Sequence, residues 1–279
     1  MEGCGEMAGK ELALEDVGEL GIGKEKEPNI FLRLYRKSII ILLLLLFWLI
    51  IPNYVHNMFV PPLSEVLRTL VDMAKSGELW KHISSTLFRA FIGLAIAEAI
   101  AIPLGIAIGW FPKVEKYLDP VLQVARNTSV LALFPLFVLT LGIGELSKIT
   151  IVLWGTFFPT LINTIQGVRN VDPLLIRSAQ SMGISSLGLF RKVVLPGALP
   201  YILAGFRLSA GVSLLVVVGA EMLGADFGLG YMIFYYEQAF QIPKMYVGIL
   251  VLAVIGVLVN YLISRLEHYL TRWQEKVGN

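Results

Sequence analysis

The sequence predicts an all-helical integral membrane protein, and three observations carry that prediction. Of 279 residues, 56% are hydrophobic and 16% charged, with a mean hydropathy of +0.72, whereas a soluble domain carries about 25% charged residues. The apolar residues gather in stretches long enough to cross ~30 Å of hydrocarbon as a helix, which takes about 20 residues. None of these stretches alternates apolar and polar residues over about ten positions, as a strand of a membrane barrel does. Composition excludes other classes as well. The 26 glycines have no period, Leu, Ile, Val and Phe abound, and the single cysteine, Cys4, builds neither a disulfide framework nor a metal site.

The net charge of +2 conceals an asymmetry. Residues 1–30 hold eight acids against three lysines, a balance of −5, and residues 31–279 hold 20 Lys and Arg against 13 Asp and Glu, a balance of +7. The acidic stretch has no apolar central region and the wrong charge for a signal peptide, so it reads as a solvated tail. Gly18, Gly23 and Lys24 in this tail match the glycine and lysine positions of a phosphate-binding loop. However, Glu25 stands where Ser or Thr would hold Mg²⁺ and no strand precedes the loop, so the match is dismissed.

Six stretches qualify as spans. The first, Ser38–Val55, is a nearly pure Ile/Leu run behind Arg33, Arg36 and Lys37. The second is Thr86–Phe111, interrupted by Arg89 and Glu98, and the third is Asn127–Gly144, bounded by Arg126 and Glu145. The fourth, fifth and sixth are Ser147–Gln166, Ala198–Ala220 and Tyr246–Ser264. The expected divisions are an acidic cytoplasmic tail over 1–30, a first transmembrane helix within 31–58, an external amphipathic segment over 59–83, a core over 84–265 and a C-terminal cytoplasmic tail over 266–279.

Lys and Arg concentrate on the side facing the cytoplasm. With the N-terminus inside, 16 basic residues fall on inner segments and five on outer ones, so both termini are expected inside. Two outer segments exceed a plain turn. Residues 56–85 carry Pro61-Pro62, then Ser64 as a cap ahead of Leu67, Leu70, Val71 and Met73 at helical spacing, with Gly77 as a stop. Residues 221–245 carry Gly224, Gly228 and Gly230, followed by Phe227, Tyr231, Phe234, Tyr235, Tyr236 and Phe240. Such aromatics suit the headgroup level, and an interfacial lid that touches no ligand is an equal reading.

The inner loop over 167–196 is patterned as two short helices. Asp172 caps a helix that Pro173 starts, where the missing N–H costs nothing. Leu174, Leu175, Ser178, Ala179 and Met182 follow the helical period, and Gly183 stops it. Ser185 or Ser186 caps a second helix with Leu187, Phe190 and Val194 on one face, and Pro196 and Pro200 bracket the start of the fifth span. A short amphipathic helix with a glycine elbow suits docking into a groove on another protein. Bracing of the bundle fits the same pattern.

Ionisable residues are expensive in lipid and should face the bundle interior. Arg207 is the candidate for a cation facing a cavity, though it could also snorkel to the headgroups; Asn163 and Glu221 are further candidates for lining a path through the bundle. Arg89 and Glu221, both near the outer face, could be interfacial or paired. Gly93, Ala97, Gly105 and Gly109 permit close helix packing. His56, His82 and His268 show no metal spacing, and no nucleophile with a base stands out, so neither a metal site nor an intramembrane enzyme is expected.

The spelling of the inner loop resembles the EAA loop of ABC import permeases, Glu-Ala-Ala-x3-Gly-x9-Ile-x-Leu-Pro. Ala179, Gly183, Leu195 and Pro196 match it, Val193 stands for Ile, Ser178 for the first Ala and Arg177 for Glu. The runs Pro61-Pro62-Leu63-Ser64-Glu65-Val66, Ile102-Pro103-Leu104-Gly105 and Leu141-Gly142-Ile143-Gly144-Glu145, and Gly219-Ala220-Glu221 with Gly228-Leu229-Gly230, are similar to the nitrate/sulfonate/taurine-type permeases over roughly residues 60–265. The resemblance implies a type I ABC importer (MetI-like) fold in a prokaryotic inner membrane, usually as a homodimer. It implies a cytoplasmic ATPase pair under the loops, carrying ATP and Mg, and an extracytoplasmic binding protein that delivers the solute. No cofactor and no nucleic-acid partner are implied for this chain. Nitrate, sulfonate and taurine head the solutes it suggests, with bicarbonate, vitamins and pyrimidine precursors as alternatives. An ATP-independent channel or carrier is the rival that the EAA spelling argues against.

Overall fold

The computed structural model describes residues 59–271 together with Ile39 and Trp48. The acidic tail, Cys4, His56, nearly all of the first span and residues 272–279 lie outside the described residues. Every regular element among the described residues is helical.

Helix α1 is Leu63–Lys75, with Val66 and Met73 turned to the core. Ser64 lies inside it rather than capping it, because the Pro62 carbonyl accepts the first N–H groups, those of Glu65 and Val66. Gly77, at φ +80°, turns the chain sharply into α2, Glu78–Trp110. At 33 residues α2 is about 50 Å long by its rise per residue, and it begins a full two turns before the expected Thr86. It carries Pro103 without a break.

The third span departs from expectation. Residues Asn127–Gly144 do not form one helix. Phe111, extended because Pro112 follows it, ends α2, and α3 runs from Pro112 to Asn127. Thr128 is then extended, a 3₁₀ turn spans Leu131–Leu133, and α4 covers Phe134–Leu141, bent by 82° from α3. The polar run Asn127-Thr128-Ser129 sits at the bend, where the Asn127 and Thr128 side chains bond carbonyls of the preceding turn. The apolar content of that stretch lies almost wholly beyond the bend, in the 3₁₀ turn and α4, while α3 comes from residues read as part of an inner segment.

Helix α5 is Glu145–Arg169, α6 is Pro173–Ser181 and α7 is Ser186–Leu189. A π-turn over Phe190–Val194 then continues directly into α8, Leu195–Gly224. Pro196 therefore lies in the first turn of α8 and Pro200 inside it, at the start of the fifth span as read, but no gap separates that start from the preceding turn. The Leu195 N–H reaches back five residues to the Phe190 carbonyl, and this wider turn feeds a helix that tolerates both prolines. Helix α9 is Leu229–Gln238 and α10 is Ile242–Leu270. Among the described residues, α2, α5, α10 and the run Ser186–Gly224 are each long and apolar enough to cross a membrane, and the bent pair α3–α4 is a possible fifth.

Helices α2, α5 and α8 form the centre. Ala90, Ile151, Val152, Leu214, Val217 and Ala220 interlock at one end, with Phe134 of α4 beside them. Along α2, Gly93, Ala97, Ala101, Gly105 and Gly109 recur every fourth residue and are all buried. A Cβ built on Gly93, Gly105 or Gly109 would meet a Val152, Thr164 or Val168 side-chain carbon of α5 at 2.7–2.9 Å. The stripe lets the two backbones approach closely, which is how helices associate without a hydrophobic drive in lipid.

Candidate functional site

The elbow between α6 and α7 is built by local chemistry. Asp172 Oδ1 accepts the Leu174 N–H at 2.8 Å and caps α6 ahead of Pro173. At the other end Gly183 takes φ +73°, and the Ile184 N–H reaches the Ala179 carbonyl at 3.2 Å. That bond closes a left-handed helix stop that a residue with a Cβ resists. Ser185 then caps α7 by accepting the Gly188 N–H at 3.3 Å. Ala179 and Leu189 are buried, and Val194 packs into a cluster with Val168, Val171, Ala198 and Ile202, with Ile176, Trp110 and Phe190 around it.

The outer side of the elbow is apolar and uncovered. Leu174, Leu175, Met182 and Leu187 are 68, 55, 79 and 63% exposed. Arg177, Ser178, Arg191 and Lys192 are exposed beside them, as is Leu195 at the start of α8, and Pro196 is partly covered. Four large apolar side chains on one short solvent-facing segment are what a docking surface presents.

At the opposite ends of these helices lies a buried charge network. Arg89 of α2 is 3% exposed and bridges two carboxylates. Its Nη1 donates to Glu221 Oε1 at 2.7 Å, while Nε and Nη2 hold both oxygens of Glu145 at 2.6 Å. Glu221, fully buried, also accepts from Thr86 Oγ1 at 2.9 Å and from the Gly230 N–H at 2.9 Å. Thr86 in turn accepts the Leu229 N–H at 2.8 Å, and His82 Nδ1 lies against both the N–H and the carbonyl of Gly228, at 3.1 and 3.0 Å. Lys148 joins at 3.8 Å from Glu145, so two cations balance two carboxylates. Gly228 is held at φ +132°, and a Cβ there would lie 2.2 Å from the Glu221 carboxyl carbon. The Arg89–Phe227 carbonyl bond, at 2.6 Å, draws the segment before α9 over the network.

The three path candidates are not brought together. Glu221 lies in the network, with its carboxylate saturated by Arg89, Thr86 and Gly230. Arg207, 14 residues earlier on α8, is roughly 21 Å away along the helix. It lines an otherwise largely apolar cavity of about 520 Å³ between α8 and α10. Its guanidinium is engaged by Glu267 of α10 at 2.9 Å and by Ser264. Asn163 donates to its own helix at the Pro159 carbonyl, 2.8 Å away, and lines a third region, a cavity of about 370 Å³ with Arg126, Thr128 and Trp154. The sequence reading left Arg89 open between pairing and interface; the structure pairs it with Glu221. It missed Glu145 and Thr86 as partners. Glu145 reads in sequence as a span boundary, and only the cost of an intramembrane Arg signals that a second acid must be near.

Comparison with known proteins agrees with this architecture. Residues 101–276 match the family model for the binding-protein-dependent transport system inner membrane component. A putative aliphatic sulfonates transport permease protein of Bacillus subtilis is 39% identical over 213 residues, covering 76% of this chain and 77% of the relative. The taurine transport system permease protein of Escherichia coli is 36% identical over 228 residues, covering 80% and 83%. An inward-facing structure of the MetNI methionine ABC transporter matches the fold with a TM-score of 0.62 at 18% identity, over 69% of this chain and 96% of that chain. The chain belongs to the family of binding-protein-dependent transport system inner membrane components, the membrane permeases of ABC importers.

Proposed function

We propose that this permease carries a small organic anion of the sulfonate or taurine class, and that it does so with six spans, both termini inside, as one half of a homodimer. The supporting observations are distinct for each part. Two relatives above 35% identity are named for sulfonates and taurine. Four long apolar helices and the bent α3–α4 pair account for five crossings, and Ser38–Val55 supplies the sixth from its composition. The Lys/Arg bias supports the orientation.

The observation that carries the mechanism is the elbow. Its four exposed apolar side chains and Gly183 stop form a short, stiff lever seated on the ends of α2, α5 and α8. An ATPase pair docks there, takes ATP and Mg, and on closing pushes each lever so that the core helices switch the cavity between the two sides. An extracytoplasmic binding protein delivers solute to the opposite face, and lipid surrounds the rest. Arg177, Ser178, Ala179, Gly183, Leu195 and Pro196 belong to this coupling loop; Asn163, Arg207 and Glu221 border the route or brace it.

The test is solute-stimulated ATP hydrolysis in proteoliposomes holding permease, ATPase and binding protein. Gly183→Val is expected to keep the assembly in the membrane while uncoupling hydrolysis from solute. Unchanged stimulation in that variant would sink the lever.

A further inference from the structure

A second buried acid is used by nothing described so far. Glu98, on α2 between the glycines of the stripe, is 8% exposed. Its Oε1 lies 2.6 Å from Thr160 Oγ1 of α5, Thr160 Oγ1 lies 2.8 Å from Ser209 Oγ of α8, and Ser209 Oγ lies 2.6 Å from the Thr156 carbonyl. Each of these three contacts needs one hydrogen, and the two hydroxyls supply only two.

The direction follows from the far end. A carbonyl cannot donate, so the Ser209 hydrogen goes to Thr156. Ser209 then accepts from Thr160, whose only hydrogen is spent. The third hydrogen must come from Glu98 itself. Its other oxygen, Oε2, is buried without a partner, and the residue lines a cavity of about 380 Å³ among Leu94, Phe206, Leu214, Leu262 and Ile263. Glu98 is the one ionisable residue lining that cavity. An ionised carboxylate with a bare, buried oxygen is heavily penalised, whereas an acid's carbonyl oxygen is tolerated.

We propose that Glu98 is a neutral carboxylic acid that pins α2, α5 and α8 through its own O–H, and that its place in the wall of this apolar cavity makes it a covalent site for apolar carbodiimides. In that reaction the acid proton passes to one carbodiimide nitrogen and a carboxyl oxygen bonds to the central carbon, converting one C=N to a single bond. An acyl shift to nitrogen then gives a stable N-acylurea; nothing leaves and nothing is oxidised or reduced. The inference is independent of the solute and of any ATPase.

The experiment treats the full chain in lipid vesicles with dicyclohexylcarbodiimide and maps adducts by peptide mass. One adduct per chain on Glu98 is expected, and none there with a water-soluble carbodiimide. Glu98→Gln, whose amide still donates to Thr160, is expected to lose that adduct and the protonated-carboxyl C=O stretch in an infrared difference spectrum, with the carboxylate bands unchanged. A wild-type chain unlabelled at Glu98, or a difference spectrum that loses a carboxylate band, overturns the proposal. Mapping and side-chain isotope labelling of glutamate on the wild-type chain keep it testable if the variant fails to insert.

Discussion

Arg89 and Glu221 offer the sharpest energetic test, because the two ends of their bond are unequal. Arg89→Met leaves Glu221 fully buried with only Thr86 and the Gly230 N–H for company. Glu221→Gln leaves Arg89 still held bidentately by Glu145, itself half-exposed. Removing one partner of a buried pair costs about 3–5 kcal/mol when the other charge is stranded, and about 1–3 kcal/mol when only a charged hydrogen bond is lost. At roughly 2–4 °C per kcal/mol for a chain of this order, Arg89→Met lowers the melting temperature by about 6–12 °C at the smaller figure. Glu221→Gln is expected to lower it by less. The double variant strands no charge at Glu221, so its cost falls short of the sum of the singles by about 0.5–3 kcal/mol. Thermal unfolding of the detergent-solubilised chain measures all three. Additive singles, or a Glu221→Gln variant less stable than Arg89→Met, would refute the reasoning.

Other outcomes follow from the same geometry. Gly105→Val places side-chain carbon where Thr164 already lies within 2.7 Å, so overpacking is expected to cost about 1–3 kcal/mol and to appear as a lowered melting temperature. Gly183 has open space around it, and its substitution by Val is costly only through φ +73°; about 1–2 kcal/mol of local strain is expected, with little change in expression level measured by size-exclusion yield. Arg207→Ala removes a half-exposed pair with Glu267 and is expected to change stability by at most about 1 kcal/mol. If uptake of a sulfonate nonetheless collapses in that variant, Arg207 serves the route; unchanged uptake assigns it to the α8–α10 contact alone.

What was legible in the sequence is what neighbouring residues decide. Asp172-Pro173 as a helix start and Gly183 as a stop depend on bonds within five residues and are formed as read, and of the two candidates for the next cap, Ser185 and Ser186, Ser185 takes the role. The α2 stripe was legible because a period of four survives in any close helix pair. The third span was not, because hydropathy sums residues without sensing that Phe111 and Thr128 leave the helical region. The π-turn of five residues that joins α7 to α8 was not legible either, because nothing in the local pattern distinguishes it from an ordinary helical turn. The charge network lay beyond reach because its partners are distant in the chain, 132 residues between Arg89 and Glu221 and 56 between Arg89 and Glu145. Glu98 looked like one more expensive acid. Its hydrogen count becomes visible only when Thr160 and Ser209 are placed beside it.

The central claim is that the exposed face of the α6–α7 elbow links this permease to an ATPase. Uptake of labelled taurine or an alkanesulfonate into vesicles with binding protein and ATPase tests it directly, using Leu174→Asp/Met182→Asp, whose changes lie on the exposed side and leave Ala179 and the inner cluster untouched. The account predicts ATP-dependent uptake by the unmodified chain, and loss of both uptake and ATPase co-purification in the double variant while the permease stays folded. ATP-independent uptake, or a double variant that still binds the ATPase and transports at the unmodified rate, would contradict it.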